Sequence, residues 1–232
     1  MAEIVLFGAS GGIGQYLVGE LASEHRIVGT YRSADAAKLR PGAEYHRVDV
    51  TDTAAVTQFA DRIGASLQHP VLIYTPGISP NALAHKVSDS DWDQTIATNL
   101  SGAMRAVRGL LPRMRSVQWG RIVLVSSVLA RQGVPGTLAY SATKAGLAAM
   151  ARVISVENAA KGITANTVAL GYFSVGIIEA VPEQYLREHV LPRIPQGRLG
   201  DPHDIAAAVR FIIAAGYLTG ATIDINGGML GI

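Results

Sequence analysis

Short apolar runs punctuate the chain at 3–8, 25–31, 43–50, 70–75, 120–127, 163–170 and 221–226, as in EIVLFG and GRIVLVSS. They are continuous rather than alternating, the pattern of strands covered on both faces. Between them apolar residues return at helical spacing. Ile13, Leu17 and Leu21 form one stripe, and 53–67, 91–115, 138–161 and 202–215 also predict helices. Asp201-Pro202 predicts a helix start, a capping side chain followed by Pro in the first turn. Strand–helix alternation of this kind predicts an α/β chain: a doubly wound parallel sheet of about seven strands, helices on both faces, joined by right-handed crossovers.

With no internal repeat and no low-complexity linker, residues 1–232 read as one domain. The least regular stretch, 171–200, holds three Pro and follows the sixth strand. Ligands of such sheets bind at the carboxyl ends of the strands, so 171–200 is expected to cover a site. Within it 182–195 predicts an amphipathic helix, serving as a lid or as a subunit contact.

Composition narrows the field. Hydrophobic residues are 49% of the chain and aromatics 6%, so the core is built from Ala, Val, Ile and Leu. A net charge of +2 without a basic run gives no field that would hold nucleic acid. The absence of Cys excludes disulfides and thiolate metal sites, and the six His show no metal-ligand spacing. No apolar run reaches the ~20 residues of a membrane span, and the first residues lack the basic start of a signal peptide. A soluble cytoplasmic protein is expected.

The first strand runs into GASGGIG. Glycines there let the backbone turn sharply and let a pyrophosphate approach the N–H groups of the following helix. Gly8, Ser10, Gly11, Gly12, Ile13 and Gly14 are the candidate cradle, although the spacing is G-x-x-x-G-x-G and Leu17 stands where the commoner motif has its last Gly. The second strand selects the dinucleotide. It ends Thr30-Tyr31-Arg32-Ser33, with no acid before Asp35. An acid would hold ribose hydroxyls, whereas Arg32, with Ser33, suits a 2′-phosphate, so NADPH/NADP+ is expected over NAD(H).

In AYSATKAG, Tyr140 and Lys144 stand four apart, on one helix face. A phenol near pKa 10 is a poor proton donor at neutral pH, and a nearby ammonium lowers it. The pair is a candidate acid–base device. By itself this spacing is commonplace, but it has company. The glycine loop, Asn99 in IATNLSG, Ser127 in RIVLVSSV and Tyr140-x-x-x-Lys144 occur in the order and spacing of the short-chain dehydrogenase/reductase superfamily. PQGRLGDPHDIAAAVRFI and LTGATIDINGGM resemble that family's C-terminal part, and the likeness is nearest to the 3-oxoacyl-(acyl-carrier-protein) reductase branch.

The resemblance implies a Rossmann-type fold and a role for each matching residue. Tyr140 is then the general acid/base, Lys144 lowers its pKa and holds the nicotinamide ribose, Ser127 orients the substrate carbonyl, and Asn99 supports a water in a proton relay. Asp49 and Val50 in RVDVTD then meet the adenine, and Gly77 lines the cofactor. Ser126 is expected to face away from the site, since strand neighbours alternate. The family pattern breaks in four places. Phe7 replaces a Thr, Tyr74-Thr75-Pro76-Gly77 replaces Asn-Asn-Ala-Gly, and Leu170-Gly171 replaces Pro-Gly. Val175, without donor or acceptor, stands where a Thr holds the carboxamide, leaving Ser174 as a substitute. The stretch at 212–220 is also shorter than usual.

The expected activity is NADPH-dependent reduction of a ketone, most simply a 3-oxoacyl thioester, on acyl carrier protein or free of it. An oxidoreductase of another carbonyl, such as a specialised metabolite, is the alternative, and a dinucleotide-sensing protein without catalysis the more distant one. Arg113, Arg115, Arg121 and Lys161 are candidates for a carrier-docking patch. The family resemblance implies a homo-oligomer, a tetramer or dimer, joined through the helices at 91–115 and 138–161 and the last strand.

Overall fold

The computed structural model describes residues 1–33 and 36–230, so Asp35 lies outside the described residues. Its strands are β1 (Glu3–Phe7), β2 (Arg26–Tyr31), β3 (Glu44–Arg47), β4 (Pro70–Tyr74), β5 (Gly120–Ser127), β6 (Ile163–Leu170) and β7 (Thr222–Ile225). They form one sheet in the order β3-β2-β1-β4-β5-β6-β7, and every neighbouring pair is parallel. The order reverses between β1 and β4, and a crevice opens beyond the carboxyl ends at that switch point.

The sheet's two faces follow from alternation along each strand. From β1, Ile4 and Leu6 face α1 (Gly12–Leu21) and α7 (Pro202–Ala214), packing with Leu17, Leu21, Val209 and Ile212. Val5 and Phe7 face α2 (Thr53–Gly64), α4 (Gly102–Ser116) and α5 (Leu138–Asn158), packing with Phe59, Leu110 and Leu147. The doubly wound parallel sheet read from the sequence is the observed one.

Capping fixes where helices begin beside the site. Asp52 accepts from the N–H groups of Ala54 (2.8 Å) and Ala55 (3.1 Å), starting α2 at Thr53, just after Val50. Asp201 accepts from His203 N–H at 2.8 Å, starting α7 at the expected Pro202. Each cap contributes on the order of 1 kcal/mol.

Two expectations are corrected. The helix predicted over 91–115 is α3 (Asp89–Ile96), a π-turn (Ala97–Ser101) and then α4. Ala97–Ser101 is wider than an α-turn, with Gly102 N–H reaching back five residues to Ala97. The amphipathic helix predicted over 182–195 is a single turn, α6 (Glu183–Tyr185), then a π-turn (Leu186–Val190) and a 3₁₀ turn (Leu191–Arg193). Pro192 has no N–H to continue a helix. The apolar side chains instead make a small cluster in which Val190 and Ile194 pack with Val128 and Met229.

Candidate active site

A cavity of about 980 Å³ lies at the carboxyl ends of the central strands, roofed by parts of 171–190. Its floor at one end is the glycine loop. Gly8 has φ +79°, and a Cβ there would lie 2.6 Å from Thr75 Oγ1, so only glycine makes this turn. A Cβ on Gly14 would fall 2.2 Å from the Gly8 carbonyl, so glycine also permits α1 to start close to β1. No side chain caps α1 at Gly11, which leaves first-turn N–H groups for an anion. Gly8, Ser10, Gly11, Gly12, Ile13 and Gly14 all line the cavity. A backbone cradle at an uncapped helix start fits a pyrophosphate. The turn Gly176–Ala180 descends onto it: a Cβ on Gly12 would lie 2.6 Å from Gly176 N, and Glu179 accepts from that N–H at 3.1 Å.

The same cavity reaches Arg32, Ser33, Asp49 and Val50. Arg32 and Ser33 are exposed at the end of β2. Arg47 donates from Nε to the Arg32 carbonyl at 3.1 Å, tying β3 to that end. Burial pushes the Asp49 carboxyl upward, but hydrogen bonds from Thr51 N–H (2.8 Å) and Oγ1 (2.7 Å), helped by the Arg32 charge, hold it below its ordinary value. Asp49 is therefore a fixed anion facing the crevice.

At the other end stand Ser127, Tyr140 and Lys144, the first from β5 and the others from α5. Ser127 Oγ accepts from Leu129 N–H at 3.2 Å, which leaves its own proton to donate. Lys144 is 3% exposed and donates from Nζ to the Val125 carbonyl at 2.8 Å. Burial pulls its pKa down to about 8. Its Nζ lies 5.4 Å from the Tyr140 ring centroid. Burial raises the Tyr140 phenol above its ordinary value, the Ser127 hydroxyl opposes this through a hydrogen bond, and the Tyr172 phenol adds to the rise. The expected lowering of Tyr140 by Lys144 is thus not the effect that sets its direction: removing the phenolate from water costs more. Ser126, expected to face away, also lines the cavity, with its hydroxyl donating to the Lys144 carbonyl at 2.9 Å.

Asn99 does not touch the cavity; it sits behind it, fully buried in the π-turn. Its Oδ1 accepts from Ile78 N–H at 2.9 Å, and its Nδ2 donates to the Ile78 carbonyl (2.9 Å) and to Thr143 Oγ1 (3.2 Å). Gly77 is the link forward: a Cβ on it would lie 3.4 Å from Lys144 Nζ and 3.9 Å from Asn99 Oδ1. The structure does not bring Ser174 in. Its side chain is exposed outside the cavity lining while Val175 lines it.

Two cavity residues, Thr98 and Tyr172, escaped the sequence reading, and a third, Thr75, entered it only as a departure from the family pattern. The Thr98 hydroxyl is buried without a partner, Thr75 Oγ1 donates to the Phe7 carbonyl at 2.8 Å, and Tyr172 stands within electrostatic reach of Tyr140. Only position could have flagged them, next to Asn99, after β4 and after β6. Three of the four candidate docking cations are also tied to internal acceptors. Arg121 is buried, donating to the carbonyls of Ile213 (3.1 Å), Gly120 (2.9 Å) and Gly162 (3.2 Å). Arg113 donates to the Leu67 carbonyl at 2.6 Å, and Arg115 to Asn158 Oδ1 at 2.6 Å.

The chain is similar to known proteins over nearly its whole length. The profile of the family described as Enoyl-(Acyl carrier protein) reductase matches residues 8–230. The chain is 36% identical to an acetoacetyl-CoA reductase of Rhizobium meliloti, with 98% of each chain covered. It is 33% identical to the 3-oxoacyl-(acyl-carrier-protein) reductase FabG of Escherichia coli, covering 96% of this chain and 94% of that one. A variant of actinorhodin polyketide ketoreductase, solved with NADPH, superposes with a TM-score of 0.89 at 24% identity over 98% of this chain and 97% of that one, a likeness of fold. Among the described residues no helix is long and apolar enough to cross a membrane.

Proposed function

The chain belongs to the short-chain dehydrogenase/reductase superfamily, in its 3-oxoacyl-(acyl-carrier-protein) reductase branch, and from that premise we propose that it is an NADPH-dependent ketoreductase of 3-oxoacyl thioesters. As a member it is an oxidoreductase acting on CH–OH and C=O groups. The observation that carries the finer reading is the meeting of Ser127, Tyr140 and Lys144 in the same cavity that the glycine cradle lines.

The nicotinamide dinucleotide supplies the hydride when bound. The chain's part is position and charge. Gly8, Gly12 and Gly14 admit the pyrophosphate, and Arg32 with Ser33 reads the 2′-phosphate, with Asp49 and Val50 at the adenine end. Ser127, its oxygen already engaged by Leu129 N–H, turns its proton from the Tyr140 oxygen to the substrate carbonyl oxygen when that is in place. Tyr140 then donates its proton to that oxygen as negative charge develops. Its raised pKa keeps the proton on until the oxygen becomes the stronger base. Lys144, still mostly ammonium at pH 7 with a pKa near 8, stabilises the phenolate left behind. Asn99 acts from behind, through Ile78 and Gly77. Leu129, Val134, Tyr185 and Val190 line the substrate end and suit an acyl chain. Of the candidate docking cations, Arg115 and Lys161 are exposed, which leaves room for a thioester carried on an acidic carrier.

One domain serves cofactor and substrate in this reading. Exposed Val153 and Val156 on α5, Met104 on α4 and Phe211 on α7 support a homo-oligomer. The test is an assay of acetoacetyl thioester reduction with NADPH and with NADH. Oxidation of NADPH that Tyr140→Phe abolishes is expected. Wild-type rates in Tyr140→Phe, or stronger use of NADH, overturn the reading.

A further inference from the structure

Tyr74 ends β4 where the family resemblance leads one to expect an Asn. It is 1% exposed, its ring lies 6.0 Å from that of Phe7, and its hydroxyl donates to the Thr98 carbonyl at 2.5 Å. Thr98 belongs to the π-turn Ala97–Ser101. Widening a helix by one residue makes an amide skip a carbonyl, and a skipped carbonyl in a dry interior needs another donor. Here Gly102 N–H reaches back to Ala97, and the Tyr74 hydroxyl supplies the donor for Thr98.

The fit between the two segments is close. A Cβ on Gly102 would lie 2.3 Å from the Tyr74 oxygen, so the phenol fills the volume that glycine leaves open. Burial pushes the Tyr74 phenol up, so it remains a donor across the working range of pH. From the outer side Arg105 reinforces the turn, donating from Nη1 to the carbonyls of Val50 (3.2 Å) and Ala97 (3.4 Å). The residue after Thr98 is Asn99, whose amide holds both the N–H and C=O of Ile78, and Ile78 follows the Gly77 that lies against the Lys144 ammonium.

We propose that Tyr74 is a positioning residue: its hydroxyl pins the π-turn open and thereby sets Asn99, the Gly77-Ile78 backbone and the Lys144 ammonium. The step to turnover rests on the ketoreductase reading; the step to local geometry does not. Tyr74→Phe removes the donor and keeps the ring. In the full-length protein it is expected to lower kcat roughly 10-fold with KM changed less than about 2-fold, because misplacement of the supporting groups acts on the transition state. The Ile78 amide, held by Asn99 in the wild type, is expected to exchange with solvent about 10-fold faster. Val107→Ala, a packing loss elsewhere on α4, serves as the stability control and is expected to leave kcat and Ile78 exchange unchanged. Unchanged exchange at Ile78 in Tyr74→Phe overturns the proposal whatever turnover does, and so does a Val107→Ala protein that reproduces both effects. A wild-type protein that reduces no ketone sinks the ketoreductase reading alone, because the exchange measurement still decides the role of Tyr74.

Discussion

The corner that holds Ser127, Tyr140 and Lys144 and the cover formed by 171–193 face each other across one cavity, yet they are built in opposite ways. The corner sits on the fully buried β5 and on the 21-residue α5, and polar atoms around it are held by defined partners, such as Lys144 Nζ on Val125 O and Ser126 Oγ on Lys144 O. The cover is a succession of short turns around Pro182 and Pro192, attached by the small cluster of Val190, Ile194 and Met229 and by the contact of Gly176 with the glycine loop. Proton transfer needs atoms held to fractions of an ångström, which regular elements with satisfied hydrogen bonds provide. Admission of a ligand and choice among acyl groups need a segment that opens at small cost, which few buried contacts provide. If that division is right, substitutions in the corner act on kcat and substitutions in the cover act mainly on KM.

The sharpest way to break the comparison is Tyr140→Phe. Loss of the proton donor is expected to reduce kcat about 10³-fold, within the range of general acid catalysis, while dinucleotide binding followed by nicotinamide fluorescence stays within a few-fold of wild type. Equal losses in kcat and in binding would mean that the corner is a binding surface like the cover. Next is pH. Lys144 carries its charge below about 8 in the folded protein, so kcat/KM is expected to fall about 10-fold per pH unit above that value, and Lys144→Met to abolish that limb. The same burial has a stability sign. The unfolded chain holds the Lys144 proton at higher pH than the folded chain does, so wild-type stability relative to Lys144→Met is expected to rise from about pH 8 to 10, read from thermal melts. Arg32→Ala comes third. Arg32 is exposed and screened by salt, so about a 10-fold loss of NADPH affinity with NADH affinity unchanged is expected. A loss equal for both cofactors would remove Arg32 as the reader of the 2′-phosphate.

How far these regions could be read from sequence follows the same division. The corner and the glycine loop were legible because local spacing sets them: one helical turn brings Tyr140 and Lys144 to a common face. The cover was not. Leu186, Val190 and Leu191 have helical spacing, but their burial is owed to Val128 and Met229, distant in sequence, and Pro192 wins locally. Ser174 and Val175 show the same limit at one residue's resolution. Val175 is extended (φ −139°, ψ 157°), neighbours on extended chain point to opposite sides, and the one that lines the cavity is Val175. Arg121 had the look of a surface charge, and only the meeting of β5 with Gly162 and Ile213 encloses it. The partnership of Tyr74 with Gly102 is likewise a match of volumes between segments that sequence spacing does not pair.

The smallest expected effect is the one most specific to the cover. Val190 lines the substrate end of the cavity and is 5% exposed in the cluster with Ile194 and Met229. Val190→Ala removes two methyl groups from that cluster, which costs roughly 1–2 kcal/mol of local packing. Because the lost contacts join the cover to Met229 and to Val128 beside Ser127, and not to Tyr140 or Lys144, the loss falls mainly on the closed arrangement of the cover. KM for an acetoacetyl thioester is expected to rise about 3- to 10-fold, with kcat within about 2-fold and NADPH affinity unchanged, measured by steady-state kinetics and nicotinamide fluorescence. A fall in kcat with KM constant would place Val190 in the support of the corner, and the two regions would then have to be treated as one rigid site.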